Sequence, residues 1–250
     1  MVSKVLTAPI TLVGGFNGSR NPSQIPPTAL IKANNISYES GTIQREGGAD
    51  KFNSTALNGS PRVIAGFDYH PTSAQQSSVV FTSDGRVHLD NAMDGAYNDG
   101  GSAGGFLVSG LTATGISPMY IEAGQETVNA TKKLFMFSEL NDVYVLNGAT
   151  ATTMTAITTP PADWSGTAQP VFGVLHEDRV WAGGNSNDPH RIYYSTATDH
   201  ENFTGGSAGQ IAIHSGEGER LVWGVSFKGF LFLAKKPYGL YVVDTRDPDP

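Results

Sequence analysis

The sequence predicts an all-β fold: a β-propeller-like array of about four antiparallel hairpin blades, which need not be a complete ring, with an N-terminal arm. Three observations predict it. Short runs of β-branched and aromatic residues recur between two- to four-residue turns, most clearly from Val171 to Asp244. Turn centres near Gly85, Asn141, Asp178 and Gly229 lie about 48 residues apart on average, within the roughly 40–50 of propeller repeats. Glycine is abundant at 30 residues, with 14 prolines, while only 16% of residues are charged, a balance that favours turns over solvated helices.

Residues 1–60 read as a docking arm and 61–250 as the blades. A strand at Ile10–Val13 is succeeded by turn signals at Gly14-Gly15 and Asn17-Gly18. Pro26-Pro27 leads into Thr28–Ile36, the one segment with a helical reading; Thr28 caps it and Asn34-Asn35 end it. A hairpin around Ser40-Gly41 and a break at Gly47-Gly48 come next. The arm is too short and polar for a core of its own, so it is expected to dock on the blades.

Four hairpins carry the blades. Ser78–Thr82 pairs with Arg86–Asp90 across Ser83-Asp84-Gly85, where Asp-Gly suits a type I′ turn. Leu134–Ser138 pairs with Val143–Asn147 across Asn141-Asp142, Val171–His176 with Arg179–Ala182, and Leu221–Phe227 with Gly229–Ala234; Gly239–Asp244 adds a strand. The runs Val79–Phe81, Leu134–Phe137 and Phe230–Leu233 are continuously apolar, as strands covered on both faces are; Arg86–Asp90 alternates, as an outer strand packed on one side would. Asn91–Gly110 and Thr150–Gly166 read as loops, the first exposed and mobile. After Asp244 the chain reads as a loop leading to more structure, because an uncovered apolar edge strand invites association.

Composition narrows the function classes. The formal charge is −7 and no basic run exceeds Lys132-Lys133 or Lys235-Lys236, so tight gripping of a nucleic-acid backbone is excluded; an acidic wall can still line a path for DNA. Without cysteine there is no disulfide, thiolate metal site or Cys nucleophile. Mean hydropathy is −0.20 and no long apolar run predicts a membrane span. The N-terminal apolar run is interrupted by Thr7 and Pro9, unlike a secretory signal.

Motifs with chemical potential each meet a plainer reading. Gly-x-Ser-x-Gly occurs at Ser102 and Ser207, but a nucleophile elbow needs a helix after the serine, and none is predicted. Asp90, Asp94 and Asp99 suggest a calcium loop, yet Ala92 and Gly101 stand where ligands belong, which favours a solvated acidic turn. The six histidines (His70, His88, His176, His190, His200, His214) lack metal-site spacing; His176 and Arg179 flank a turn and are read as surface residues. Glu217 and Glu219 are a carboxylate pair whose separation sequence does not supply. Trp181, Tyr193, Tyr194, Trp223, Phe227, Phe230, Phe232 and Tyr241 are either a sugar-stacking platform or, at strand period, core between sheets.

Two stretches stand out together. The first holds Gly14-Gly15-Phe16-Asn17, Pro22 to Pro27, Leu30, Asn35-Ile36, Gly41, Ile43, Arg45 and Gly47. The second holds Leu175, Arg179-Val180-Trp181, Arg191 to Ser195, and Asp199 to Phe203. Together they resemble the β-propeller tail nozzle or tail-tube proteins of short-tailed bacteriophages, with His200 where that family often has proline. The resemblance implies a structural virion protein, not an enzyme. It implies a hexameric ring around the tail axis, contacting portal, adaptor and other tail proteins. DNA would pass through without sequence-specific binding. No catalytic, cofactor-binding or metal-binding residue comes with it. The competing class is a carbohydrate-binding or glycan-cleaving propeller. Buried Trp181, Trp223 and Tyr194 would favour the scaffold, and a solvent-facing groove the lectin. A cellular interaction hub, closed and without an arm, is a third class.

Overall fold

The computed structural model describes residues 36–39, 42–45, 56–57, 59–102, 104–115, 117–124, 132–213, 219–237 and 239–245. The chain divides into two compact units, Met1–Lys51 and Phe52–Pro250. In the first, β1 (Ile36–Glu39) and β2 (Thr42–Arg45) pair antiparallel with Glu39 opposite Thr42, the two-residue hairpin expected at Ser40-Gly41. The expected strand at Ile10–Val13 and all but the last residue of the expected Thr28–Ile36 helix lie outside the described residues; Ile36 opens β1.

The second unit is built from four antiparallel sheets, a propeller-like array. Blade 1 is β3 (Val63–Thr72), β4 (Gln75–Thr82), β5 (Val87–Asp90) and β6 (Phe106–Val108). Blade 2 is β7 (Met119–Ala123), β8 (Lys133–Ser138), β9 (Asn141–Asn147) and β10 (Met154–Ala156). Blade 3 is β11 (Phe172–His176), β12 (Arg179–Gly183), β13 (Arg191–Tyr194) and β14 (Gly209–Ala212). Blade 4 has three strands, β15 (Arg220–Phe227), β16 (Phe230–Lys236) and β17 (Leu240–Val243). Strands neighbour one another in chain order within each sheet. The first strands β3, β7, β11 and β15 lie in succession beside one another. Among the described residues there is no helix long and apolar enough to cross a membrane.

The hairpins identified from sequence all form, but they occupy different places in their blades. Those at Gly85 and Asn141 join second and third strands; those at Asp178 and Gly229 join first and second strands. Two local expectations are corrected. At Ser83-Asp84-Gly85 only Gly85 has positive φ (75°), and its N–H donates to the Thr82 carbonyl at 3.0 Å. This is a three-residue loop with a bulge glycine, not a type I′ turn. The β8–β9 turn is Glu139-Leu140, because Ser138 pairs with Asn141. Type I′ geometry occurs instead at Glu177-Asp178 (φ 47° and 57°) and Lys228-Gly229 (φ 50° and 77°).

Alternation across a strand explains the core. In β8, Leu134 and Met136 face blade 1, joining Val79, Phe81 and Leu89. Phe135 and Phe137 face the other way, joining Val180, Ala182 and Tyr193 of blade 3. In blade 3, Trp181, Ile192 and Tyr194 turn toward Leu221, Leu231 and Leu233 of blade 4. A continuously apolar strand is therefore one that fills two interfaces. β16 departs from that expectation: Leu231 and Leu233 are buried, while Phe230 on its other face is exposed. β5 departs in the opposite sense. All four of its residues are buried, because β6 lies outside it.

The two expected loops are partly structured. Asn91–Gly110 contains β6, with Leu107 buried, and is tied down by Asp99 N–H to the Leu89 carbonyl and Gly101 N–H to the Thr152 carbonyl. Thr150–Gly166 contains β10 and the buried Trp164. Their short strands are hidden in sequence by surrounding Gly, Ser, Thr and Ala.

Candidate functional site

The residues of the second resembling stretch converge on one corner of blade 3. The Glu177-Asp178 turn sends β12 back along β11, and alternation then places Val180 toward blade 2 and Trp181 toward blade 4. Arg179, next to the turn, lays its guanidinium 5.3 Å from the centre of the Tyr194 ring. Its Nη1 donates to the carbonyls of Ser195 (2.8 Å) and Ser207. Ser195 Oγ accepts from Val180 N–H at 3.0 Å and donates to the Thr196 carbonyl. The Thr196 hydroxyl closes the next turn by bonding both N–H and carbonyl of Asp199. Asn202 Oδ1 accepts from the N–H groups of Thr204 and Gly205, and Phe203 packs 4.8 Å from Trp164.

This arrangement accounts for the residue types. Arginine reaches two carbonyls at once while stacking on an aromatic face, which lysine does not do. Trp181 is fully buried, donates Nε1–H to the His176 carbonyl and lies 4.7 Å from Tyr194. The corner is a polar clamp between strands. His200 donates Nε2–H to the Asp178 carbonyl at 2.9 Å, a further bond across the corner.

His176 is not the surface residue the sequence suggests: it is 2% exposed. Its Nε2 lies 2.6 Å from Thr245 Oγ1, and Thr245 donates to Glu177 Oε2 at 2.9 Å. Thr245 therefore accepts from Nε2–H, which leaves Nδ1 to accept the Ser226 hydroxyl at 2.8 Å. Burial holds the imidazole below its ordinary range, against the neighbouring Glu177 charge, which raises it. The chain of bonds ties blade 3 to blade 4 and to the segment after β17. Nothing in the sequence signals it, since Ser226 and Thr245 lie 50 and 69 positions from His176.

Among the described residues, the other candidates are held in structural roles. Ser102 precedes β6 and Ser207 precedes β14, so a strand comes after each, where a nucleophile elbow needs a helix. Asp90 is fully buried and spends its carboxylate on the N–H groups of Asp94 and Gly95; Asp99 accepts from Asn91 N–H, and Asp94 from Ala96 N–H. These carboxylates shape a turn. Among the described residues no three His, Asp or Glu side chains gather to hold a metal. His88 is buried beside a cavity of about 170 Å³ lined also by Leu57, Tyr97 and Asn98, and burial lowers its pKa. His214 and Glu217 lie outside the described residues.

The aromatic set divides. Trp181, Tyr193 and Tyr194 are core between blades, whereas Trp223, Phe227 and Phe230 are 46%, 58% and 44% exposed. The exposed members stand on the outer face of blade 4 with Val222, Leu240 and Val242, an apolar surface and not an acid-lined groove.

No family model and no curated protein matches the chain. Among solved structures, it is similar to a chain in the crystal structure of BBS1N in complex with ARL6DN, soaked with mercury. There the identity is 14% and the TM-score 0.41, over 74% of this chain and 52% of that one. It is also similar to the computationally designed Ika4 protein (10% identity, TM-score 0.44, 73% and 91% covered) and to a chain of the Mitotic Checkpoint Complex (13%, 0.40, 81% and 58%). The chain spans about half the length of the first of these. The class that the sheets themselves define is an all-β, propeller-like array of blades.

Proposed function

We propose that the chain is a structural protein of a bacteriophage tail or neck, not an enzyme. Six copies form a ring around the tail axis as part of the DNA conduit, made in the host cytoplasm and carried in the virion. The ring holds the genome in and then passes it outward at ejection. Its partners are portal, adaptor and other tail proteins, and DNA that slides through without sequence-specific binding. One observation carries this reading: Arg179, Trp181, Tyr194, Ser195, Asn202 and Phe203, which bear the resemblance, build a single clamp in blade 3. Of the three discriminating aromatics, buried Trp181 and Tyr194 support a scaffold over a sugar platform, whereas Trp223, 46% exposed, does not. The net charge of −7 suits a wall that repels phosphate.

The test is negative-stain electron microscopy with mass photometry of the purified chain, with and without tail and neck components. Rings of about six with an axial hole, or incorporation into tails, support the conduit, as closed cyclic symmetry requires. A stable monomer that ignores tail components and binds glycans on an array would sink it in favour of a lectin.

A further inference from the structure

The outer face of blade 4 is an uncovered blade interface. Residues directly opposite in antiparallel strands share a face. The register sets Trp223 opposite Ala234 and Leu240, Val225 opposite Phe232 and Val242, and Phe227 opposite Phe230. All eight side chains therefore point one way. The other face of the same sheet, with Leu221, Leu231 and Leu233, is fully buried against blade 3. Phe230–Leu233 repeats the uninterrupted apolar character of Leu134–Phe137, where each face fills an interface. Its outer face has the composition of a fourth such interface and, among the described residues, no cover.

We propose that this face packs against the same face of a second copy of the chain, related by a two-fold axis. The distribution of exposed apolar residues selects that occupant. Among the described residues the large exposed hydrophobics are Val63, Leu175 and the six on this face: Val222, Trp223, Phe227, Phe230, Leu240 and Val242. On a second copy, the one apolar surface among the described residues large enough to complement it is therefore the same surface. That is the self-complementary geometry of a two-fold contact. Blade 1, at the other end of the array, offers no match: on the face away from its core Val80, His88 and Asp90 are already buried, and Val63 is its one large exposed hydrophobic among the described residues. Area agrees. The exposed parts of the six residues amount to roughly 600 Å² per copy, the upper end of the largest apolar patch on a typical monomer. Complete burial of both faces would remove at most about 1,200 Å², the lower end of stable interfaces. Two such sheets stack at about 10 Å with interleaved side chains, as in a sandwich. The pairing does not rest on the tail reading.

The lack of cysteine makes the test direct. In an isologous pair a residue near the axis meets its own copy, so a single cysteine there links to itself. The full-length chain is followed by sedimentation velocity across micromolar concentrations. Val225→Cys, Phe232→Cys and Val242→Cys are oxidised separately, with Val63→Cys as control. A dimer is expected, with disulfide dimers from at least one central variant and none from the control. Phe227→Asp is expected to raise the dimer dissociation constant at least about 30-fold, with an unchanged near-ultraviolet circular dichroism spectrum. Three results overturn the proposal. One is a monomer at every concentration with central cysteines open to maleimide. Another is a monomer whose central cysteines are shielded, because the chain then covers the face itself. The third is a larger assembly without self-linkage, because the contact is then head-to-tail.

Discussion

Replacing Gly173 with alanine tests what sets the distance between blades 2 and 3. Gly173 lies in β11, and a Cβ built there would stand 2.2 Å from Phe137 Cε2 and 2.4 Å from Cζ. Carbon atoms pack best at about 3.5–4.0 Å, so the ring or the strand must move by more than an ångström. The ring has nowhere to go. Phe137 is fully buried and stacks on Phe135 at 6.3 Å. Overpacking of this kind costs about 1–3 kcal/mol, while alanine in a strand regains roughly 0.5–1 kcal/mol of glycine's entropy. The net loss spans about 0–2.5 kcal/mol and centres on about 1.2 kcal/mol, or roughly 2–5 °C in Tm for a fold of this size. Thermal unfolding followed by fluorescence of the buried Trp164 and Trp181 is a suitable assay. Phe137→Leu in the same chain should restore part of the loss, with a coupling of about 0.5–3 kcal/mol between the two changes. A Tm for Gly173→Ala equal to or above the parent would refute the reasoning. So would strict additivity in the double variant.

Arg179→Lys should cost about 1–2 kcal/mol, because one ammonium replaces two charge-assisted bonds and a stacked plane; urea unfolding measures it, and an unchanged midpoint would show the clamp to be idle. Asp90→Ala leaves the N–H groups of Asp94 and Gly95 unpartnered, at about 1–3 kcal/mol. Limited proteolysis should then cut within residues 91–105 faster than in the parent. Stability should fall between pH 7.5 and 5.5. Burial holds His88 and His176 below their ordinary 6.5, so the unfolded chain takes up more protons as pH drops through 6.5. The stability these two contribute is full above 6.5 and is lost toward their lower folded pKa. Near His88, Asp84 opposes the shift and Arg86 adds to it. His88→Leu should flatten the profile, and an equal slope in parent and variant would remove His88 from the account.

The blades were legible in the sequence where one residue run decides the outcome. Two-residue turns with Asp178 or Gly229 at their centres forced hairpins, and Leu134–Phe137 announced a strand covered twice. The outer strands β6, β10 and β14 were not legible. Each is three or four residues long and gains its order from the strand beside it, not from its own pattern. The clamp was half legible. Arg179, Trp181 and Tyr194 stood out as a motif, but the carbonyl of Ser207 that completes it is 28 positions away. The His176 tie was invisible for the same reason, since sequence distance hides which hydroxyls a buried imidazole will meet.

β16 is where sequence and structure pull apart in an informative way. Its pattern says that both faces are covered, and the chain's own fold covers one. Leaving Trp223, Phe227, Phe230 and Leu240 in water forgoes burial that, at about 25 cal/mol per Å², would be among the largest apolar gains open to the molecule. A solvent-facing sheet normally alternates apolar with polar residues, and β16 does not until Lys235-Lys236. Selection for a solvated blade would have placed polar residues at 223, 227, 230 and 240. Their apolar character is that of a covered face, and the alternation rule that explains the three interfaces between the blades is the ground for proposing this face as a fourth.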